Sequence, residues 1–299
     1  MTEAPAPGGV MRLHAAFART PLTRALAEGE LPSDEVSLAL EEFPVISRAF
    51  APMVREQRFD LSEMAIATFL QARARGVPLV LLPVVLAARF QQGALLCRQH
   101  GDIRNPADLA GRRVGVRAYS QTTGMWLRGI MAEEGGPLPQ DVRWTTFEDA
   151  HVPGIEDPPW ATRAAPGQDM MAMLHDGALD AVIVGNDVPE DARLRTVWAD
   201  PGLAADCFWR RHGLVPVNHM LCLRRTVLER RPALAGELVR LFAASAALAP
   251  PGPHGPPPAT RAALRPVLEL ALRYMGQQGM LPRPLALDEV WDGLPEDVA

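Results

Sequence analysis

The chain has 299 residues, a formal net charge of −5, and a composition that is 48% hydrophobic and 22% charged. That length allows for roughly two globular domains, and the composition is too apolar for a disordered protein. The mild acidity, with a pI near 5.8, lacks the basic footprint of a nucleic-acid binder.

All 30 basic residues are arginine. Schiff-base lysines, a lysine-anchored pyridoxal cofactor and the lysine of a phosphate-binding P-loop are therefore excluded. Arginine is the only permanent cation, and its planar fork suits carboxylates. Cys97, Cys207 and Cys222 are widely spaced and form no CxxC pair, so neither a disulfide framework nor a cysteine zinc site is expected. Buried, inert thiols in a reducing compartment are the ordinary reading. Residues 1–9 (MTEAPAPGG) lack the basic start of a secretory signal. The longest apolar stretch, 77–88, is broken by Pro78 and Pro83 and is far short of the ~20 residues that span a bilayer. A cytoplasmic protein is expected.

Strand and helix signals alternate along the chain. A strand over 11–17 leads into a helix over 21–27, with Pro21 in its first turn and Gly29 closing it. A second strand follows over 36–40, a helix over 45–57, an extended segment over 59–65 and a helix over 68–75. The apolar run 79–85 reads as a buried strand, and 93–98 as another. A short helix over 106–110, a strand over 113–118 and a helix over 122–134 open a second α/β unit, which continues through 142–147, a helix over 169–175 and a strand over 180–184. Residues 185–214 carry no expected element. Residues 215–223 read as a strand returning to the first unit, followed by a long helix over 228–248, the proline-rich tract 250–258 and a helix over 261–276. This alternation predicts α/β layers on largely parallel sheets. The expected organisation is a discontinuous first lobe, 10–104 plus 218–299, with a second lobe, 105–217, inserted into it. A cleft is expected between the two lobes, and residues 1–9 and 250–258 are expected to be flexible. Ligands of such sheets sit at the carboxyl ends of strands.

Two segments carry candidate chemistry. In GRRVGVRAYSQTTG (111–124) a strand runs through Arg117 into Tyr119, Ser120, Gln121, Thr122 and Thr123 at a helix start. Free backbone N–H groups and hydroxyls there make an anion pocket, although Ser120 or Thr122 equally suits a plain helix cap. In the second, Glu148, Asp149 and His151 follow a strand directly, so a carboxylate can orient an imidazole for proton transfer, or the segment can form a solvated turn. His219 lies on the return crossover, and Arg19 and Glu63 follow or end strands of the first lobe. Metalloprotease, nucleophile-elbow, dinucleotide-fingerprint and Walker motifs are absent.

VGVRAYSQTTGMWLRGI, TTFEDAHV and PVNHMLCLRR together resemble the 4,5-dihydroxyphthalate decarboxylase family, over nearly the full length from Met11 to about Trp291. Serine at position 120 stands where the family has threonine, and the tract after His151 is less polar than the family's. The resemblance implies the two-lobed fold of the type 2 periplasmic binding proteins and the loss of carbon dioxide from a hydroxylated aromatic dicarboxylate, as in phthalate catabolism. On that reading His151, supported by Glu148 or Asp149, and His219 do acid/base work. Arg19, Glu63, Arg117, Tyr119, Ser120, Gln121, Thr122 and Thr123 hold the substrate. No cofactor is expected, and metal assistance is left open. The expected partner is a small aromatic carboxylate, with neither nucleic acid nor membrane, and assembly into a homo-oligomer is left open. The alternative is a solute-binding protein or sensor that captures the same acid without reacting it.

Overall fold

A computed structural model describes residues 9–185, 188–250, 252 and 254–298. The chain opens with β1 (Met11–Ala16), α1 (Arg24–Ala27), β2 (Val36–Leu40), α2 (Phe50–Glu56), β3 (Leu61–Ala65), α3 (Ile66–Ala74) and β4 (Leu79–Ala88). It continues through β5 (Leu95–Arg98), β6 (Arg113–Val116), α4 (Thr122–Glu133), β7 (Arg143–Thr146), β8 (Ala161–Arg163), α5 (Met170–His175), β9 (Ala181–Ile183), β10 (Leu194–Thr196) and α6 (Pro201–His212). It closes with β11 (Val217–Arg224), α7 (Arg225–Arg230), α8 (Leu234–Ala247), α9 (Arg261–Gln277) and α10 (Leu287–Val290).

Two compact units result. The first takes Met1–Ala88, Val217–Leu268 and Leu285–Ala299; the second takes Arg89–Pro216 and Glu269–Pro284. These boundaries correct the expected ones. Residues 89–104 fall in the second unit because β5 pairs with β9 and β10 there. Residues 269–284 join it because Tyr274 and Gln278 pack on α4. Residues 1–8, and 251 and 253 of the proline-rich tract, for which flexibility is expected, lie outside the described residues. Of those described, Pro256, Pro257 and Pro258 line an apolar pocket of about 260 Å³ with β4 and α8.

In the first unit the sheet order is β2-β1-β3-β11-β4. β1 runs parallel to β2 and β3, whereas β11 is antiparallel to both β3 and β4, so the sheet is mixed rather than largely parallel. Leu61, Leu79, Val80 and Leu81 are buried, as continuous apolar runs in covered strands should be. β4 is an edge strand, which is where a proline without an N–H is tolerated. Around Pro83 the ladder with β11 slips, a step of two from Met220 to Cys222 facing a step of four from Val85 to Leu81.

The second unit has the order β10-β5-β9-β6-β7-β8, with β9, β6, β7 and β8 parallel and β5 antiparallel to its two neighbours. α4 is the most deeply buried helix of this unit, with every residue from Thr122 to Met131 buried. Asp180 ties the start of β9 to that of β6, accepting from the Arg113 backbone N–H (2.9 Å), Nε (3.0 Å) and Nη2 (2.8 Å). The expected single helix over 228–248 is instead α7 and α8, because Pro232 cannot donate to a continuing helical ladder. Among the described residues, no helix is long and apolar enough to cross a membrane.

Candidate active site

Within the first unit, the carboxyl ends of β1 and β3 meet the start of β11. Glu63 on β3 faces Leu221, so His219 is its diagonal neighbour on the same side of the antiparallel pair. The Glu63 side chain is almost wholly buried, and its two oxygens are divided. Oε1 lies 2.6 Å from His219 Nδ1, and Oε2 accepts the Ala18 backbone N–H at 2.8 Å. The Ala18 turn is held in place by Thr23, whose hydroxyl donates to the Ala18 carbonyl at 2.6 Å and accepts from the Thr20 N–H. Phe50 presents an edge-on ring to the imidazole, with centroids 5.2 Å apart. Toward β3 the pairing of His219 is regular, but toward β4 the register shifts on both sides of it. Such irregularities re-aim a side chain out of the pleat. The arrangement fixes the ring: Nδ1–H donates to the carboxylate, and Nε2 keeps the lone pair that can exchange a proton.

Within the second unit, β6 runs into the 117–121 turn and then α4. Gln121 is the N-cap residue without a side-chain cap, and its Oε1 carries no hydrogen bond. Ser120, Thr122 and Thr123 are buried. Arg89 Nη2 donates to Thr123 Oγ1 (3.3 Å) and to the Gly185 carbonyl (3.2 Å), which brings a cation to the first turn of the helix. The N–H groups of a helix N-terminus, with hydroxyls and a guanidinium beside them, are suited to a carboxylate.

The remaining predicted residues occupy other positions. The Tyr119 hydroxyl is committed to the protein, donating to the Gln278 carbonyl (3.3 Å) and accepting from Trp160 Nε1 (2.9 Å). Arg19 is exposed and pairs with Glu42 at 2.6 Å. The Arg117 carbonyl accepts the Phe147 and Glu148 N–H groups, and its guanidinium lies 3.7 Å from Glu148. Asp149 is 87% exposed and pairs with Arg163 at 2.8 Å. Glu148, Asp149 and Arg163 edge an open pocket of about 450 Å³ at the ends of β7 and β8. His151 is half-buried in the turn that follows. Glu63, expected among the substrate ligands, is placed as the partner of His219.

Arg89 and Arg128 reach this turn, and the sequence patterns flag neither. Arg128 is buried beneath the Tyr119 turn. An arginine inside the otherwise apolar run 125–131 is the signal that could have found it. Among the described residues no group of three or more His, Cys, Asp or Glu is arranged to hold a metal.

The fold is of the type 2 periplasmic-binding-protein-like class. The alkanesulfonate-binding protein SsuA from Xanthomonas axonopodis pv. citri aligns with 98% of this chain and 86% of its own, with a TM-score of 0.50 and 15% identity. The desulfurization enzyme DSZB aligns with 95% of this chain and 96% of its own, with a TM-score of 0.50 and 16% identity.

In sequence the chain is similar to the 4,5-dihydroxyphthalate decarboxylases. It is 29% identical over 248 residues to that of Comamonas testosteroni, covering 76% of this chain and 72% of the relative. It is 27% identical over 203 residues to that of Pseudomonas putida, covering 62% and 77%. A family described as NMT1/THI5 like matches residues 46–157.

Proposed function

We propose that the chain is a cytoplasmic carboxy-lyase that removes one carboxylate from a hydroxylated aromatic dicarboxylate. The substrate is 4,5-dihydroxyphthalate-like and the product protocatechuate-like. The observation that carries the reading is the buried Glu63–His219 pair, a proton-transfer group with its tautomer set. The similarity to two curated decarboxylases supports the choice of substrate class. The free cysteines, Cys207 exposed among them, suit a reducing compartment.

The chemistry asks little of the protein beyond protons and charge. Loss of the proton from a ring hydroxyl para to the departing carboxylate pushes electrons to the carbon that bears it. That carbon takes a proton from an imidazolium. The carbon–carboxylate bond then breaks, its electron pair restores the aromatic ring, and carbon dioxide leaves. His219 is the proton donor in this scheme, held by Glu63. His151, with Glu148 and Asp149 nearby in sequence, is assigned to the hydroxyl proton. Ser120, Gln121, Thr122, Thr123 and Arg89 hold the carboxylates at the α4 N-terminus. Arg19, Arg117 and Tyr119 are secondary to these, since each is already engaged by protein groups.

The test is incubation of the purified chain with 4,5-dihydroxyphthalate while released carbon dioxide and ring product are measured. Equimolar release of both is expected. An acid recovered unchanged after saturation binding would overturn catalysis and leave a solute-binding protein.

A further inference from the structure

Arg128 is 1% exposed, on the fourth residue beyond Gly124 in α4. Its guanidinium has only neutral partners. Nε donates to Gln278 Oε1 at 2.7 Å, and Nη2 donates to the Tyr119 carbonyl at 2.6 Å and approaches the Met280 sulfur at 3.4 Å. The Tyr119 and Trp144 rings lie 4.0 and 5.1 Å from its central carbon. Nη1 makes no hydrogen bond. It is aimed at the first turn of α4, where a Cβ on Gly124 would stand 2.9 Å from it. Asp157 attracts it from a distance, but that carboxylate is already taken by Thr146 Oγ1 and Arg163.

A buried cation with no paired carboxylate carries a large desolvation penalty that neutral acceptors and ring faces offset only in part. A methionine would fill the same space without it. The charge lies under a helix N-terminus whose own N–H groups are positive, in surroundings of low polarity where its field is weakly screened.

We infer that Arg128 is a positioning residue whose unneutralised charge makes the Tyr119–Thr123 turn prefer a doubly charged aromatic dicarboxylate over a monocarboxylate. The bound dianion supplies the counter-charge that the fold withholds. This rests on the reading of the chain as one that takes an aromatic dicarboxylate.

The test compares phthalate with benzoate by calorimetry at low ionic strength, in the wild type, Arg128→Met and Gln278→Glu. The last variant leaves Arg128 in place and sets a carboxylate beside its Nε, cancelling the charge at the cost of the Gln278 Nε2 bond to the Met125 carbonyl. At an effective dielectric constant of about 20 and a separation of about 8 Å, the preference for phthalate over benzoate should fall roughly 10- to 30-fold in both variants. Arg128→Lys should keep most of the preference. A purely structural role would weaken both ligands alike and leave the ratio unmoved. A ratio within about twofold of wild type in Gln278→Glu would overturn the inference alone. Failure of the wild type to bind either acid would overturn the functional reading as well.

Discussion

The chemistry at the scale of single residues turns on which atom of Glu63 meets which atom of His219. With the carboxylate on Nδ1, the imidazole can present only Nε2 to a substrate. Glu63→Gln keeps the shape but changes the proton. If its carbonyl continues to accept from Ala18, its amide faces Nδ1 and drives the hydrogen to Nε2, the wrong tautomer. His219→Ala and Glu63→Gln should each lower kcat by roughly 10²- to 10⁴-fold, with KM little changed and the unfolding midpoint of Glu63→Gln close to wild type. A steady-state comparison with urea denaturation checks this; near-wild-type turnover in Glu63→Gln would remove the pair from the mechanism. His219 is legible in the sequence because it lies on a strand that returns across the chain. The role of Glu63 is not, because its partner is 156 residues away and the two meet only through β3–β11 pairing. Arg128 is hidden for a different reason: an arginine in a helix reads as a solvent-facing cation until the helix is seen to be buried on all sides.

Local patterns account well for most elements. The strand–turn–helix around 113–134 follows from the apolar run, the hydroxyl cluster and Gly135, whose φ of 78° closes α4. α6 carries its own signals, with Asp200 accepting the Leu203 N–H at 2.9 Å, Pro201 in the first turn and Gly213 at φ 64°, yet its sparse apolar residues obscure it. β8 and β10 are three residues each and acquire their identity from the strands they join. Tertiary packing also decides the sign of a glycine substitution. A Cβ on Gly129 would stand 2.1 to 2.4 Å from ring carbons of Tyr274, which is fully buried and packed edge-on to Trp126. Gly129→Ala gains about 1 kcal/mol of helix propensity but overpacks the core by about 1–3 kcal/mol or more, so the net effect is destabilising. Gly236 in α8 has nothing within 4 Å of its Cβ position, so Gly236→Ala should be neutral or stabilising by up to about 1 kcal/mol. Chemical denaturation should show a lowered midpoint for Gly129→Ala and an unchanged or raised one for Gly236→Ala; a lowered midpoint in both would refute the packing argument.

Over the whole molecule, the sequence shows that one α/β unit interrupts another, but strand patterns alone do not say which sheet a strand joins. Hence 89–104 and 269–284 are misassigned until the partners of β5 and Tyr274 are known. Ion pairs, the long-range Asp180–Arg113 pair and several local ones, govern the response to acid. Partial burial pushes the Asp180 carboxyl up, but its hydrogen bonds from Arg113 outweigh this and leave it below the ordinary range. Arg112 holds Asp102 down, and Arg240, with Ser33, holds Glu237 down. Hydrogen bonds from Arg193 pull Asp191 down to about 2. Glu134 opposes them, its carboxyl raised by burial despite the bond from Trp198. For the depressed groups the unfolded chain takes up protons first, so their stabilisation is complete above the ordinary carboxylate pKa. It is lost as pH falls through that value to the folded one. The unfolding temperature should therefore fall on acidification from about pH 6 to about pH 3. Asp180→Asn should destabilise by about 1–3 kcal/mol near neutrality, because Arg113 loses a charged acceptor at a nearly buried position. The gap between this variant and the wild type should narrow as acid protonates the native carboxylate, and a gap constant over that interval would show that Asp180 does not carry the acid response.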